Sequence, residues 1–333
     1  MLLDGSLIRT RRCTGTENQE EWDDSMGNTG ETAFGRLLLA AVSGLVVLAV
    51  AACGPNGRGP EPRAEEPAGM KPEGTASPLT AREKSLLYDA EQAMVQSCMA
   101  RKGFQVWKVP ENPVPEDRSF PYVVDDVAWA QRHGYGSDVR RRIDQVRRTD
   151  PNRRYLQSLP PHRRTQAVDA YSGRTRGLEV RLPTGAIAGR STDGCLAETE
   201  GQLYGGLGKW FRAKAVTNSL ASIRRANVFA DSQFRESTRQ WAACMRQHGH
   251  RYTAPSQARA AFAFDKAKGQ EEEVRTAVDE ARCAHSSGLS ATAQRLDARY
   301  DKRLRKQYRA AVDSRLQLEW AALPRARAIL SGH

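Results

Sequence analysis

The densest chemistry in this chain lies in five residues: Cys244, His248, His250, Cys283 and His285. Cysteine and histidine are ligand types for zinc, and Cys244 and His248 stand four apart, on one face of a helix. Around Cys98, however, Arg101, Lys102 and Phe104 stand near where those histidines fall. The cysteines repeat and the histidines do not, so oxidised pairing explains the cysteines, and no metal or other cofactor is expected. For nucleophilic catalysis there is no G-x-S-x-G, S-x-x-K or H-E-x-x-H. Asp125-Asp126 reads as a helix cap rather than a general acid and base, and Gly205-Gly206-Leu207-Gly208 as a helix stop rather than a phosphate loop. No catalytic residue is assigned. Enzymatic activity is left undecided, and a non-enzymatic role is the leading reading.

The second candidate is charge. The chain of 333 residues has a formal net charge of +12, and residues 1–52 carry four Arg against seven Asp or Glu, which leaves about +15 for the rest. The stretch from Arg132 to Arg181 holds 13 Arg and five Asp or Glu. Arg140, Arg141, Arg142, Arg147, Arg148, Arg153 and Arg154 form its centre, with Tyr135, Tyr155 and Tyr171 interleaved. Such a run is either a set of solvated helix faces or a surface for anionic lipid headgroups or wall phosphates. Inside a cell the same charge would point to nucleic acid, so the compartment decides.

The compartment is written in Leu37 to Cys53, LLLAAVSGLVVLAVAAC, with Arg36 before it and Gly54 after it. A basic residue, an apolar run and small residues at a cut make an export signal. Val50-Ala51-Ala52-Cys53 resembles the lipobox of bacterial lipoproteins. That resemblance implies cleavage before Cys53 and a diacylglycerol on its thiol, placing the protein on the extracytoplasmic face of the cell membrane and excluding nucleic acid as a partner. Seventeen apolar residues are at the lower limit for spanning a bilayer, so an uncleaved anchor is the lesser alternative. Residues 1–25 are polar and acidic, with Glu20, Glu21, Asp23 and Asp24 close together. A start at Met26 restores a normal leader and makes residues 1–25 a misassigned extension. Residues 54–80 contain six Pro and five Gly. With few apolar side chains to bury, they read as a disordered tether reaching roughly 30 Å as a coil and about 80 Å when extended.

An internal repeat follows. MVQSCMARKGFQVWKVP surrounds Cys98 and QWAACMRQHGHRYTAP surrounds Cys244; each shows Cys-Met, three mostly polar residues, Gly, then an aromatic and a Pro. Each is followed by one further cysteine, Cys195 and Cys283. In an exported protein four such cysteines read as disulfides. Of three connectivities the repeat favours Cys98–Cys195 and Cys244–Cys283. Loops of about 97 and 39 residues would each contribute several kcal/mol. The layout resembles uncharacterised lipoproteins of high-GC Gram-positive bacteria, which pair a lipobox and a Pro/Gly linker with Cys-Met-x-x-x-Gly elements and a Trp before the second. Trp241 matches, whereas the first repeat has Val95 there. The resemblance carries no activity.

The elements that must position these residues are mostly helices. Apolar spacing predicts helices over Glu83–Lys102, Val127–His133 (capped by Asp125 or Asp126), 137–150, Pro160–Ala170, Cys195–Tyr204, Lys209–Ala230, Asp231–His248, Gln257–Lys268, Glu271–Ser286 and a long Ala291–Leu330. Leu289, Ala293, Leu296, Tyr300, Leu304, Tyr308, Ala311 and Leu318 mark the buried stripe of that last helix, and Pro324 is expected to end or kink it. Asp150-Pro151-Asn152 reads as a break. Leu178–Ile187, turning at Pro183-Thr184-Gly185, is the only plausible strand pair. The expected fold is mostly α: an irregular, disulfide-linked helical domain with at most one short hairpin and a long C-terminal helix. The expected organisation is a misassigned leader (1–25), a signal peptide (26–52), a tether (53–80) and two repeat halves (81–205 and 206–333). The function reading is an extracytoplasmic lipoprotein that binds or assists at the cell envelope through an unknown partner. An envelope enzyme is the alternative, and a basic nucleic-acid binder a weaker one.

Overall fold

The computed structural model describes residues 77–263 and 269–332. The lipobox, Cys53, Met26, most of the tether and residues 264–268 lie outside the described residues.

Twelve helices and one hairpin make up the described chain. The first, α1 (Ala81–Arg101), opens with a capping box: the Thr80 hydroxyl accepts from Glu83 N, and Glu83 accepts from Thr80 N at 2.7 Å. Next, α2 (Val127–His133) is capped by Asp126, which accepts from Trp129 N at 2.8 Å. Then come α3 (Ser137–Thr149), α4 (Pro151–Ser158) and α5 (Pro161–Ser172). The helix α4 is a departure from the sequence reading. Asp150 does stop α3, but its carboxylate also accepts from Asn152 N at 2.9 Å and caps a new helix with Pro151 in its first turn. Proline has no N–H to lose at that position.

Strands β1 (Arg176–Arg181) and β2 (Ile187–Ser191) pair antiparallel, with Val180 opposite Ala188 and an irregularity between residues 176 and 178. Their apolar face, with Leu182 and Ala188, packs on Phe211. Then follow α6 (Cys195–Leu203), α7 (Leu207–Ala230), α8 (Ser232–Gln247), α9 (Pro255–Ala260), α10 (Gln270–Ser286), α11 (Leu289–Gln307) and α12 (Arg309–Ser331). Asp231 caps α8 by accepting from Gln233 N at 2.9 Å.

Two expectations are corrected and a third, on Pro324, is narrowed to one of its two branches. The helix expected over 257–268 is α9, which starts at Pro255 and ends at Ala260. The last helix is not continuous from 291: Tyr308, at φ −108° and ψ 32°, separates α11 from α12. Between Lys302 and Ala310 only Leu304 and Tyr308 offer bulky apolar contact, so no packed face holds one straight rod there. Pro324 does not end α12, which runs on to Ser331. An internal proline costs about 3 kcal/mol. Here Ala322, Leu323 and Ala326 are buried around it against Leu87, Ala90 and Leu203, and each large apolar side chain so buried contributes about 1.5–3 kcal/mol.

The core is not divided along the repeat. Its largest cluster joins Val123, Val124, Trp129, Tyr135 and Val139 to Phe234, Trp241, Met245, Ala281, Leu289 and Leu296. A second joins α1 and α6 to α12, and a third surrounds Cys98, Cys195, Phe104 and Ala167.

The repeat has a local cause. At the end of α1, Phe104 N donates to Met99 O at 3.0 Å and Gly103 N to Ala100 O at 2.9 Å. At the end of α8, His250 N donates to Met245 O at 2.9 Å and Gly249 N to Arg246 O at 3.0 Å. Both are Schellman caps, with Gly103 and Gly249 at φ 77° and 82°, where a side chain would be strained. Met99 and Met245 are buried beneath them. Each cap presents the preceding cysteine to a second helix.

Candidate functional site

The sulfurs of Cys98 and Cys195 lie 2.01 Å apart, and those of Cys244 and Cys283 lie 1.99 Å apart, the pairs that the repeat favours. Cys98 and Cys195 are buried, as is Cys283, whereas Cys244 is half-buried.

The second pair sits in a polar setting. His248 closes α8 and is exposed; its Nδ1 is 3.7 Å from Asp279 Oδ1. Asp279 Oδ2 is 3.0 Å from His250 Nε2, and the Ser286 hydroxyl is 3.6 Å from Cys244 Sγ. Ligand atoms of Cys244, His248 and Cys283 all lie within 4.8 Å of one another. His285 turns elsewhere, donating from Nε2 to the carbonyl of Asp125 at 2.7 Å. Asp125 itself accepts from Ser290 Oγ at 2.6 Å and Gln294 Nε2 at 3.2 Å, so the Asp125-Asp126 pair joins a helix cap to a cross-chain clasp.

The basic stretch divides by role. Arg140 is half-buried and donates to the carbonyls of Tyr135 at 2.8 Å and Phe262 at 3.3 Å. Arg141 donates to Gln270 Oε1 at 2.8 Å, Arg142 pairs with Glu116 at 3.0 Å, and Arg147 pairs with Asp144 at 3.3 Å. Arg148, Arg153 and Arg154 are exposed and enter no ion pair among the described residues. They flank the junction of α3 and α4. The same junction carries Trp107, whose N–H donates to Asn152 Oδ1 at 2.8 Å while Asn152 Nδ2 donates back to Trp107 O at 2.9 Å. The Trp107 ring stands edge-on to Tyr155 at 5.5 Å and is 38% exposed. Trp107 was missed in the sequence because its nearness to α4 comes from the side chain of Asn152, 45 positions along.

Two of the buried polar residues are carboxylates on α10. Glu280 is fully buried and accepts from Val124 N at 2.9 Å and Tyr135 Oη at 2.6 Å. Burial pushes its carboxyl up to about 7, and the two hydrogen bonds and the charge of Arg259 only partly oppose that. Glu273 accepts from Tyr135 N at 2.9 Å, Ser137 N at 3.1 Å and Ser137 Oγ at 2.5 Å. It caps α3, which has no side-chain cap of its own. A cleft of about 360 Å³ lies between the 118–125 loop and helices α7 and α11. In it Tyr122 Oη donates to Asp297 at 2.5 Å, and Arg224 pairs with Asp297 at 3.0 Å and Asp301 at 2.6 Å. Burial first, then the Asp297 hydrogen bond, raise the Tyr122 hydroxyl above its usual range.

No family model matches this chain, and neither a curated protein nor a solved structure shows significant similarity to it. Among the described residues no helix is long and apolar enough to cross a membrane.

Proposed function

We propose that this chain is an exported lipoprotein, anchored through Cys53 on the extracytoplasmic face of the membrane, that binds anionic phosphate groups of the envelope through the corner between α3 and α4. The observation that carries the binding reading is the exposed Trp107, held by Asn152 at the junction that Arg148, Arg153 and Arg154 flank in sequence, the three arginines having no carboxylate partner among the described residues. Aromatic rings with basic neighbours suit the boundary between water and lipid headgroups. Each arginine near an anionic membrane is worth about 1 kcal/mol, so three together favour binding by roughly a hundredfold. The anchor reading is supported by Val50-Ala51-Ala52-Cys53 and by two cysteine pairs at bonding distance, because disulfides persist in oxidising compartments.

Two measurements test the reading. Metabolic labelling with a fatty-acid analogue should mark the wild-type chain and not Cys53→Ala; equal labelling refutes the anchor. Vesicles containing anionic phospholipid should bind the protein in a salt-sensitive way, with the triple variant R148E/R153E/R154E bound about a hundredfold or more weakly. Binding to a soluble anionic wall polymer instead of the vesicles would move the ligand to the wall. Equal binding by the triple variant to both would refute the corner as the site.

A further inference from the structure

The two Schellman caps are alike in backbone, in the buried methionine and in the disulfide they present. They differ in what surrounds the sulfurs. The first cap has Lys102 and Phe104, and the second has His248 and His250 at the same places. The disulfide forms equally well with either set, so the histidines are not needed for it. Opposite them Asp279 stands one helical turn before Cys283 on α10, as Cys244 stands one turn before His248 on α8. Each helix therefore offers two ligand side chains at i and i+4 on one face.

We infer that Cys244, His248, Asp279 and Cys283 form a zinc site that the disulfide keeps closed. Reduction by a dithiol opens it. Two electrons and two protons pass from the dithiol to the Cys244–Cys283 bond, giving two thiols and a disulfide on the reductant. Zn²⁺ then displaces the two thiol protons and is held by two thiolates, a neutral imidazole and a carboxylate. These are zinc's preferred donors and its usual number.

The distances allow this. Ligand atoms of Cys244, His248 and Cys283 are already within 4.8 Å of each other, and His248 Nδ1 is 3.7 Å from Asp279 Oδ1. With Zn–S bonds of about 2.3 Å, the sulfurs must part to roughly 3.8 Å. The Cα atoms, 5.6 Å apart, permit this by rotation of the side chains. His250, at 3.0 Å from the other Asp279 oxygen, holds that carboxylate in place as an outer partner does in known metal sites. Beside Cys98–Cys195 the Glu198 carboxylate lies 3.3 Å from Cys98 Sγ, but no imidazole stands there: the counterpart of His248 is Lys102, which cannot bind zinc while protonated.

The experiment uses the full chain, reduced with a phosphine under metal-free conditions and titrated with Co²⁺ as the spectroscopic stand-in for zinc. The expected result is one Co²⁺ with thiolate-to-metal charge-transfer absorption, seen only after reduction and displaced by Zn²⁺. His248→Ala keeps all the cysteines, including Cys13 and Cys53, and should bind at least tenfold more weakly. C244S/C283S should lose the absorption. Absence of the band in the reduced wild type, a band of full strength in His248→Ala, or its survival in C244S/C283S would each overturn the site. If reduction unfolds the chain, circular dichroism replaces absorption. Zn²⁺ should then restore helix in the wild type and not in His248→Ala, and failure to restore it in the wild type also overturns the site.

Discussion

Replacing Glu280 by glutamine should remove a pH dependence that the buried carboxyl imposes on the whole fold. Glu280 sits at about 7 instead of the ordinary 4.5. The folded chain therefore holds this proton more tightly than the unfolded chain does. Stability from this group is greatest at acid pH and is lost as pH rises from about 4.5 through about 7, above which the loss is complete. Between pH 5 and pH 8 the linkage amounts to about 2–3 kcal/mol. With a urea slope of about 2–3 kcal/mol per molar, the midpoint of the wild type should fall by about 1 M over that interval, relative to Glu280→Gln. The glutamine fits the same space, can accept from Val124 N through its carbonyl and can donate to Tyr135 Oη. The other ionisable groups are common to both proteins and drop out of the difference. Urea unfolding followed by circular dichroism at pH 5, 6, 7 and 8 measures it. Parallel profiles, differing in slope by less than about 0.5 kcal/mol over the range, would refute the assignment of a raised carboxyl at Glu280.

Glu273→Ala should cost about 2–4 kcal/mol, because three donors at the start of α3 lose a charged acceptor, and amide exchange at Tyr135 and Ser137 should rise; unchanged exchange would show that the cap is not made. Gly134→Ala should destabilise by a similar route, since a Cβ there would stand 2.7 Å from Glu273 Cγ, and thermal unfolding measures it. Paired serine substitutions at Cys98/Cys195 and Cys244/Cys283 should cost about 4.7 and about 3.9 kcal/mol, in the order of their loop lengths, and urea midpoints test that order. Arg140→Ala should destabilise by about 1–3 kcal/mol through two orphaned carbonyls, while Arg153→Ala should change stability by less than about 0.5 kcal/mol.

What the sequence disclosed was short in range. Asp126 before Val127 and Asp231 before Ser232 are caps written within three or four residues, and both are made. The Cys-Met-x-x-x-Gly repeat was legible for the same reason: a Schellman cap is local, and it carries its cysteine with it. Asp150 misled because one carboxylate both closes a helix and opens the next, and a break between helices reads like a break from helix. Glu273 follows Glu271 and Glu272 in a plain helix-start run, but it turns inward to cap a helix whose sequence lies 136 residues earlier. Arg140 likewise belongs by spacing to a basic surface, yet its guanidinium is spent on two carbonyls, one of them 122 residues away. Residues whose partners lie this far off have no spacing that could announce them.

The packing of α1 on α12 also sets an order in time. The first described helix to be made finds its main partner in the last one: Leu87 and Ala90 are covered by Leu323 and Ala326, and Trp320 Nε1 reaches back to Ser77 O at 2.8 Å. Synthesis must therefore run past Ala326 before the apolar side of α1 is sheltered. Contacts so remote along the chain close slowly. Meanwhile Cys98 can already meet Cys195 and fasten α1 to α6, so oxidation can precede docking. A nascent chain thus spends its vulnerable interval with one half stapled and its hydrophobic stripe bare, a stage at which a holding chaperone would have most to do.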